Sequence, residues 1–369
     1  MNILHLYSDE NWTGPAESVL TLLKELNKRG HKAFFAGVIK RRGKFLPKIR
    51  EAGIPVIESL NLDRKSYPLQ YLKNLAILPR VLRNEKIDII HTHFRYDHIL
   101  ASFVKKRVPL VHTLHRADLD KVNFQERFML RHKTDYIITI SKAIKEKVVQ
   151  YLGIEPERIS TIYGAVDSNK FNPQISGNKI REEFKIDKDA PAVGMIAPLQ
   201  PYRKHLHLLR TIPQVRKEFP EVKFLLIGSI GSYQKVLKAE IERLRISDSV
   251  IFISYRDEDY SQVLASLDME VFLVPGSDGS CRAVLEALAM AKPVVSAKVG
   301  PIPEIMENSR EGILIDSPDD IVSLTNAITK TLKDKDLARR MGEAGRKLME
   351  RFTPEIRATR IEKIYYSLI

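Results

Sequence analysis

Apolar positions along the chain follow two rhythms. Short unbroken runs, such as Ile3–Tyr7, Ala33–Val38, Leu110–Leu114 and Tyr136–Ile140, read as strands buried on both faces. Between them apolar residues recur at three- and four-residue spacing, as helices require. Pro15 to Arg29 places Val19, Leu22, Leu23 and Leu26 on one face, and Gly30 closes it. The same reading gives helices at Lys44–Glu51, Leu69–Asn84, Tyr96–Val104, Phe124–His132 and Lys142–Leu152. Further strands fall at Pro55–Ile57, Asp88–His91 and Ile159–Tyr163. Strand and helix alternate throughout, which predicts a doubly wound α/β domain of about seven parallel strands.

The rhythm breaks from Gly164 to Asp189, where Asn, Gly, Ser, Pro and Asp cluster around a short Lys179–Phe184 helix, and then begins again. Strands are expected at Ala192–Ile196, Val222–Ile227, Val250–Ile253, Met269–Val274, Pro293–Ala297 and Gly312–Ile315. Helices are expected at Lys204–Glu218, Tyr233–Leu244, Asp259–Ser266, from near Ser280 to Pro293, and at Pro318–Lys333, Leu337–Arg351 and Pro354–Ser367. The division predicted is a first domain over 1–170, a second over 171–353 and a last helix over 354–369.

Composition narrows the class. A chain of 369 residues, 44% hydrophobic and 29% charged, suits a globular protein with a large core. Its single cysteine, Cys281, excludes an internal disulfide framework. No apolar run is long enough to span a membrane, and residues 1–7 do not read as a signal peptide, so a cytoplasmic protein is expected. Charge is uneven. Residues 1–170 hold 30 Lys and Arg against 18 Asp and Glu (+12); residues 171–369 hold 30 against 28 (+2). A basic first half suits an anionic partner. Nucleic acid is disfavoured, because aromatics are not interleaved with the basic residues as stacking platforms.

The densest chemistry lies between Val274 and Glu304. A loop of Pro275, Gly276, Ser277, Asp278 and Gly279 joins a strand to a helix N-terminus, where small residues at Gly276, Gly279 and Ser280 let an anion approach free N–H groups. Asp278 lies in the loop, and Glu286 interrupts the apolar Val284, Leu285, Ala287 and Leu288. This stretch, with its tail Gly300, Pro301, Pro303, Glu304 and Ile305, resembles the donor site of retaining glycosyltransferases of the GT-B fold, family 4. Asp278 stands where that family usually has glutamate. Other stretches are similar to the same family. The loop Asn11-Trp12-Thr13-Gly14-Pro15-Ala16-Glu17 opens the first helix. Val111-His112-Thr113-Leu114-His115-Arg116 ends a strand at His115. Tyr163 to Asp167, with Phe171 and Pro173, resembles the family's domain junction. Ala197 to His205 carries Arg203 and Lys204, with Pro198 where an arginine is usual.

The resemblance implies two Rossmann-like domains with a cleft between them, the last helix crossing back to the first domain. It implies a retaining glycosyltransferase that moves a sugar from a UDP- or GDP-sugar to a cell-envelope glycolipid or saccharide. Its catalytic residues would be His115, Arg203, Lys204, Asp278 and Glu286. Its donor-binding residues would be Gly14, Gly228, Tyr255, Arg256, Gly279, Ser280, Cys281 and Arg282. No cofactor and no metal are expected, the nucleotide-diphosphate sugar being a co-substrate. His91 and His93 end the strand before His115 and read as structural. A nucleotide-sugar binding protein without transfer, or a sugar-nucleotide epimerase of the same fold, are the alternatives. The basic runs Lys40-Arg41-Arg42-Lys44 and Lys105-Lys106-Arg107, with Phe45, Leu46 and Phe103 beside them, point to an anionic membrane surface and peripheral attachment at its inner face.

Overall fold

The computed structural model describes residues 1–39, 43–66, 68–115, 122–276 and 281–369. The chain separates into two compact units. The first holds Met1–Ala165 and Pro354–Ile369; the second holds Val166–Gly276 and Cys281–Thr353.

The first unit runs β1 (Asn2–Leu6), α1 (Gly14–Lys28), β2 (Lys32–Ala36), α2 (Phe45–Glu51), α3 (Leu69–Asn84), β3 (Ile89–Thr92), α4 (Arg95–Val104), β4 (Leu110–Leu114), α5 (Phe124–His132), β5 (Tyr136–Thr139), α6 (Lys142–Lys147) and β6 (Ile159–Thr161). Its strands form one parallel sheet in the order β2-β1-β3-β4-β5-β6. Six strands replace the expected seven. Pro55–Ile57 makes only a single bridge, Val56 to Phe35, because Pro55 has no N–H to extend a ladder. The helix expected over Lys142–Leu152 is α-helical to Lys147 and then widens into a π turn that Gly153 ends at φ +63°. Alternate residues of β1 serve opposite faces. Ile3, and Tyr7 just past the strand, pack with α1 and α2, while Leu4 and Leu6 pack with α3 and α4.

The second unit runs α7 (Asn178–Glu183), β7 (Ala192–Ile196), α8 (His205–Glu218), β8 (Lys223–Gly228), α9 (Gln234–Leu244), β9 (Val250–Ser254), α10 (Tyr260–Ala265), β10 (Met269–Phe272), α11 (Arg282–Ala289), β11 (Val294–Ala297), α12 (Ile302–Ile305), β12 (Gly312–Ile315), α13 (Ile321–Lys333) and α14 (Lys335–Met349). Its parallel sheet has the order β12-β11-β10-β7-β8-β9. Residues just after Ala165 are bound into this unit: Val166 N–H donates to Phe352 O, and the Arg346 guanidinium donates to the carbonyls of Ser168 and Phe171.

The last helix, α15 (Pro354–Tyr366), completes the first unit. Ala358, Ile361 and Tyr365 enter the core beside α1. Arg357 Nη1 donates to Ser18 O at 2.7 Å, and Glu362 pairs with Arg29 and His31. Among the described residues no helix is long and apolar enough to cross a membrane.

Candidate active site

Ligand chemistry in a parallel sheet belongs at the C-terminal strand ends, where loops and helix N-termini converge. In the second unit this edge holds most of the expected residues. Asp278, Gly279 and Ser280 lie outside the described residues. Cys281 caps α11 with φ +51° and is buried. Glu286 faces inward from α11 and is 2% exposed. Tyr260 Oη donates to its Oε2 at 2.8 Å, and Arg282 Nε donates to its Oε1 from one helical turn before. The glutamate that interrupts the apolar face is therefore held between a phenol and a guanidinium.

Arg203 ends a short turn after β7 and is 6% exposed. Its guanidinium lies 5.9 Å from the Phe272 ring centre. A Cβ at Gly276 would stand 2.6 Å from Arg203 Nη1, so glycine there makes room for the cation. Burial lowers the Arg203 pKa from its ordinary value, and its Nε has no hydrogen-bond partner among the described residues. The adjacent Lys204 has φ +65° and turns away: its Nζ pairs with Asp319 Oδ1 at 2.6 Å, an oxygen His207 also reaches. The two neighbouring cations thus serve different places.

Gly228 ends β8 with φ +157°, and a Cβ there would lie 2.2 Å from Ala197 O. Tyr255 is exposed, its ring 6.2 Å from that of Tyr260. Arg256 is bound by Asp259 and by Glu183, whose hydrogen bonds raise its pKa.

One residue of this edge escaped the sequence reading. Glu270 lies in the middle of β10, fully buried, with neither carboxylate oxygen hydrogen-bonded among the described residues. Burial, and then the charge of Glu286, push its pKa well above 4.5, against the opposing pull of Arg203. The signal was a glutamate inside the run MEVFLV.

In the first unit, Gly14 opens α1 directly after Thr13, with Pro15 in the first turn as its fixed φ allows. His115 follows β4 and is 4% exposed. The structure gathers His91, His93 and His115 at one edge, as expected, and adds His5 from β1, which the sequence reading passed over. His91 is structural: Nδ1 lies 2.6 Å from Tyr365 Oη and Nε2 lies 2.7 Å from Thr113 Oγ1. Burial keeps His5, His112 and His115 down at about 3, and His91, His93 and His98 well below 6.5. Candidate ligand atoms of His5, His91 and His93 lie within 4.8 Å of one another, close enough for a metal ion. His5 Nδ1 and His93 Nε2 are, however, already engaged with each other, and both His91 nitrogens are engaged.

The expected membrane-facing residues need correction. Phe45 and Leu46 are buried, because α2 turns them into the core beside Tyr7 and Phe35. Lys40, Arg41 and Arg42 lie outside the described residues. Phe103 is exposed as expected. Further exposed apolar residues are Phe124 (85%) and Phe128 on α5, and Leu69 and Leu72 on α3. An Arg95–Glu126 ion pair at 3.1 Å joins α4 to α5.

Two six-stranded parallel sheets, each wrapped by helices, make the GT-B class of fold, which solved structures share. Anabaena HepE, solved with UDP and glucose, superposes with a TM-score of 0.85 at 22% identity, covering 100% of both chains. A family model described as glycosyl transferases group 1 matches residues 176–348, and one described as glycosyltransferase family 4 matches residues 12–170. The chain belongs to the group 1 glycosyltransferases of family 4. Among curated proteins it is 25% identical to N-acetyl-alpha-D-glucosaminyl L-malate synthase of Bacillus anthracis, over 94% of this chain and 92% of the relative. It is 24% identical to the Escherichia coli UDP-Gal:alpha-D-GlcNAc-diphosphoundecaprenol alpha-1,3-galactosyltransferase, over 81% and 80%.

Proposed function

We propose that the protein transfers a sugar, with retention of configuration, from a nucleotide-diphosphate sugar to an anionic glycolipid or saccharide of the cell envelope. The observation that carries this is Arg203: a buried guanidinium with an unpartnered Nε, in space kept open by Gly276. The carboxyl that acts on it, Glu270, is itself pushed toward the neutral form by burial, so a diphosphate would offset the cost of the desolvated cation. Arg203 would hold the departing diphosphate, the term expected to dominate the rate. Glu286, oriented by Tyr260 and Arg282, would accept hydrogen bonds from the ribose hydroxyls. Asp278 and the backbone of Gly279 and Ser280 would serve the sugar. Lys204, bound to Asp319, would contribute only at a distance.

In the step itself the acceptor's hydroxyl oxygen bonds to the anomeric carbon as the bond from that carbon to the diphosphate oxygen breaks. The acceptor proton passes to the leaving phosphate. Neither carboxylate becomes a nucleophile, and no metal is required. UDP and glucose in HepE favour a uridine donor. The lipid-linked substrate in the name of the E. coli relative favours a lipid acceptor, as do Phe103, Phe124 and Phe128 on the unit that carries most of the net charge.

The test is a mass-spectrometric screen of UDP- and GDP-sugars against the protein and Glu286→Gln, followed by transfer assays with and without chelator. One nucleotide sugar should bind, and Glu286→Gln should weaken it about tenfold or more. No binding, or equal binding by the variant, overturns the reading. Conversion of the donor without an acceptor would mark an epimerase, and binding without turnover a binding protein.

A further inference from the structure

The imidazoles of His5, His93 and His115 meet end to end. His5 Nδ1 lies 3.1 Å from His93 Nε2, and His93 Nδ1 lies 3.4 Å from His115 Nε2. Ring centres are 5.4 Å and 5.6 Å apart, with interplanar angles of 14° and 35°. Each centre-to-centre distance exceeds its N–N distance by 2.3 Å (5.4 less 3.1) and 2.2 Å (5.6 less 3.4), twice the distance from an imidazole's centre to its nitrogen. The bridging nitrogens therefore lie on the lines joining the centres. The rings are linked in plane through their edges; they are not stacked face on face.

The middle ring is held at its backbone. His93 N–H donates at 2.8 Å to Asp97, a buried carboxylate that also binds Phe94 N–H and Ser8 Oγ. Burial keeps all three imidazoles neutral, so each carries one ring proton.

Three neutral rings and two links allow two proton orders. In one, His5 Nδ1–H donates to His93, His93 Nδ1–H donates to His115 Nε2, and His115 keeps its own proton on Nδ1. In the other every proton is reversed, and His5 Nε2 carries an N–H. That nitrogen is buried with no partner among the described residues. The second order therefore strands a donor, whereas the first strands only a lone pair. His98 shows that the same unit accepts such a lone pair. Thr134 Oγ1 gives its proton to Met129 O and so accepts from His98 Nε2–H, which leaves His98 Nδ1 bare and buried.

We propose that His5 and His93 are positioning residues that fix His115 as its Nδ1–H tautomer, giving this strand edge one permanently oriented donor for a hydroxyl or phosphate oxygen of the substrate. His115 Nδ1 has no hydrogen-bond partner among the described residues. The substrate half of the proposal rests on the transferase reading; the tautomer half does not.

The experiment is long-range proton–nitrogen correlation spectroscopy on 15N-histidine-labelled protein near neutral pH, in wild type, His5→Leu and His5→Gln. Wild type should show His115 protonated at Nδ1 and bare at Nε2. His5→Leu, whose new side chain suits an apolar strand, removes the first donor and should return His93 and His115 to mixed tautomers. His5→Gln restores an N–H and should restore the pattern. Binding of the nucleotide sugar found in the screen should weaken about threefold to tenfold in His5→Leu and recover in His5→Gln. His115 protonated at Nε2 in wild type, or unchanged in His5→Leu, overturns the proposal. If no nucleotide sugar binds the wild type, the transferase reading fails, and the spectra still decide the relay. The expected tautomer changes in His5→Leu with unchanged nucleotide-sugar affinity would overturn the substrate half alone.

Discussion

The two units carry the same plan, a six-stranded parallel sheet wrapped by helices, yet they bury opposite chemistry under their strand ends. The first buries His5, His91, His93, His98, His112 and His115, all held neutral. The second buries Glu270 and Glu286 with Arg203, and against the six histidines it sets His205, which burial holds at about 4. A shared topology settles where chemistry can be placed; residue choice along each strand settles what proton behaviour results. The first edge is built from neutral donors and acceptors suited to hydroxyl groups. The second is built from charge, suited to a charged diphosphate.

The largest effect should come from acid. A buried histidine whose folded pKa lies below 6.5 adds stability above pH 6.5 and gives it up as pH falls toward 3. Six such residues in one unit should together cost on the order of several kcal/mol by pH 4. Peptide-resolved hydrogen exchange over this range should show the first unit opening before the second. Equal protection loss in both would break the contrast. Glu270 works in the other direction. With its folded pKa raised above 4.5, its contribution is complete below pH 4.5 and falls as pH rises. Glu270→Leu should therefore stabilise the second unit by about 1–3 kcal/mol at neutral pH and flatten its decline on the alkaline side, read by urea denaturation. A destabilised variant would mean that the carboxyl is held by a partner after all. The smallest effect concerns the surface. Phe124→Ser with Phe128→Ser should reduce sedimentation with anionic vesicles several-fold, and high salt should reduce it further, since each basic residue near such a surface adds about 1 kcal/mol. Binding that ignores lipid charge would separate the first unit's charge from any membrane role.

Much of this was legible in the residues, for identifiable reasons. Parallel strands buried on both faces leave unbroken apolar runs, so nearly every strand could be placed from its run alone. Pro55–Ile57 failed because three residues including a proline cannot sustain a ladder. Glu286 stood out because it broke a helical face, yet its bonds to Tyr260 and Arg282 depend on a neighbouring helix and on local rotamers. Lys204 looked equivalent to Arg203 until the backbone at φ +65° turned it toward Asp319. His5 and Glu270 were visible as polar residues within apolar strands, but a strand pattern does not say which strand lies beside which. The order β2-β1-β3-β4 brings His5 beside His91, with His93 and His115 following on the neighbouring strands. Phe45 and Leu46 were misread because adjacent charge suggested surface, while the short helix carrying them points inward.

The placement of α15 has a consequence for synthesis. Residues up to Ala165 leave the ribosome with one core cluster unfinished: Ala358, Ile361, Ile364 and Tyr365 complete that cluster, and Tyr365 supplies the hydroxyl beside His91 Nδ1. Between them lies the whole second unit, which at 5–20 residues per second takes roughly 10–40 seconds to translate. During that interval the nascent first unit must keep a groove beside α1 open and unaggregated, a task for chaperones or for slow, incomplete collapse. A message that stops at the codon for Pro354 would thus yield a chain whose second unit is whole and whose first lacks its last helix.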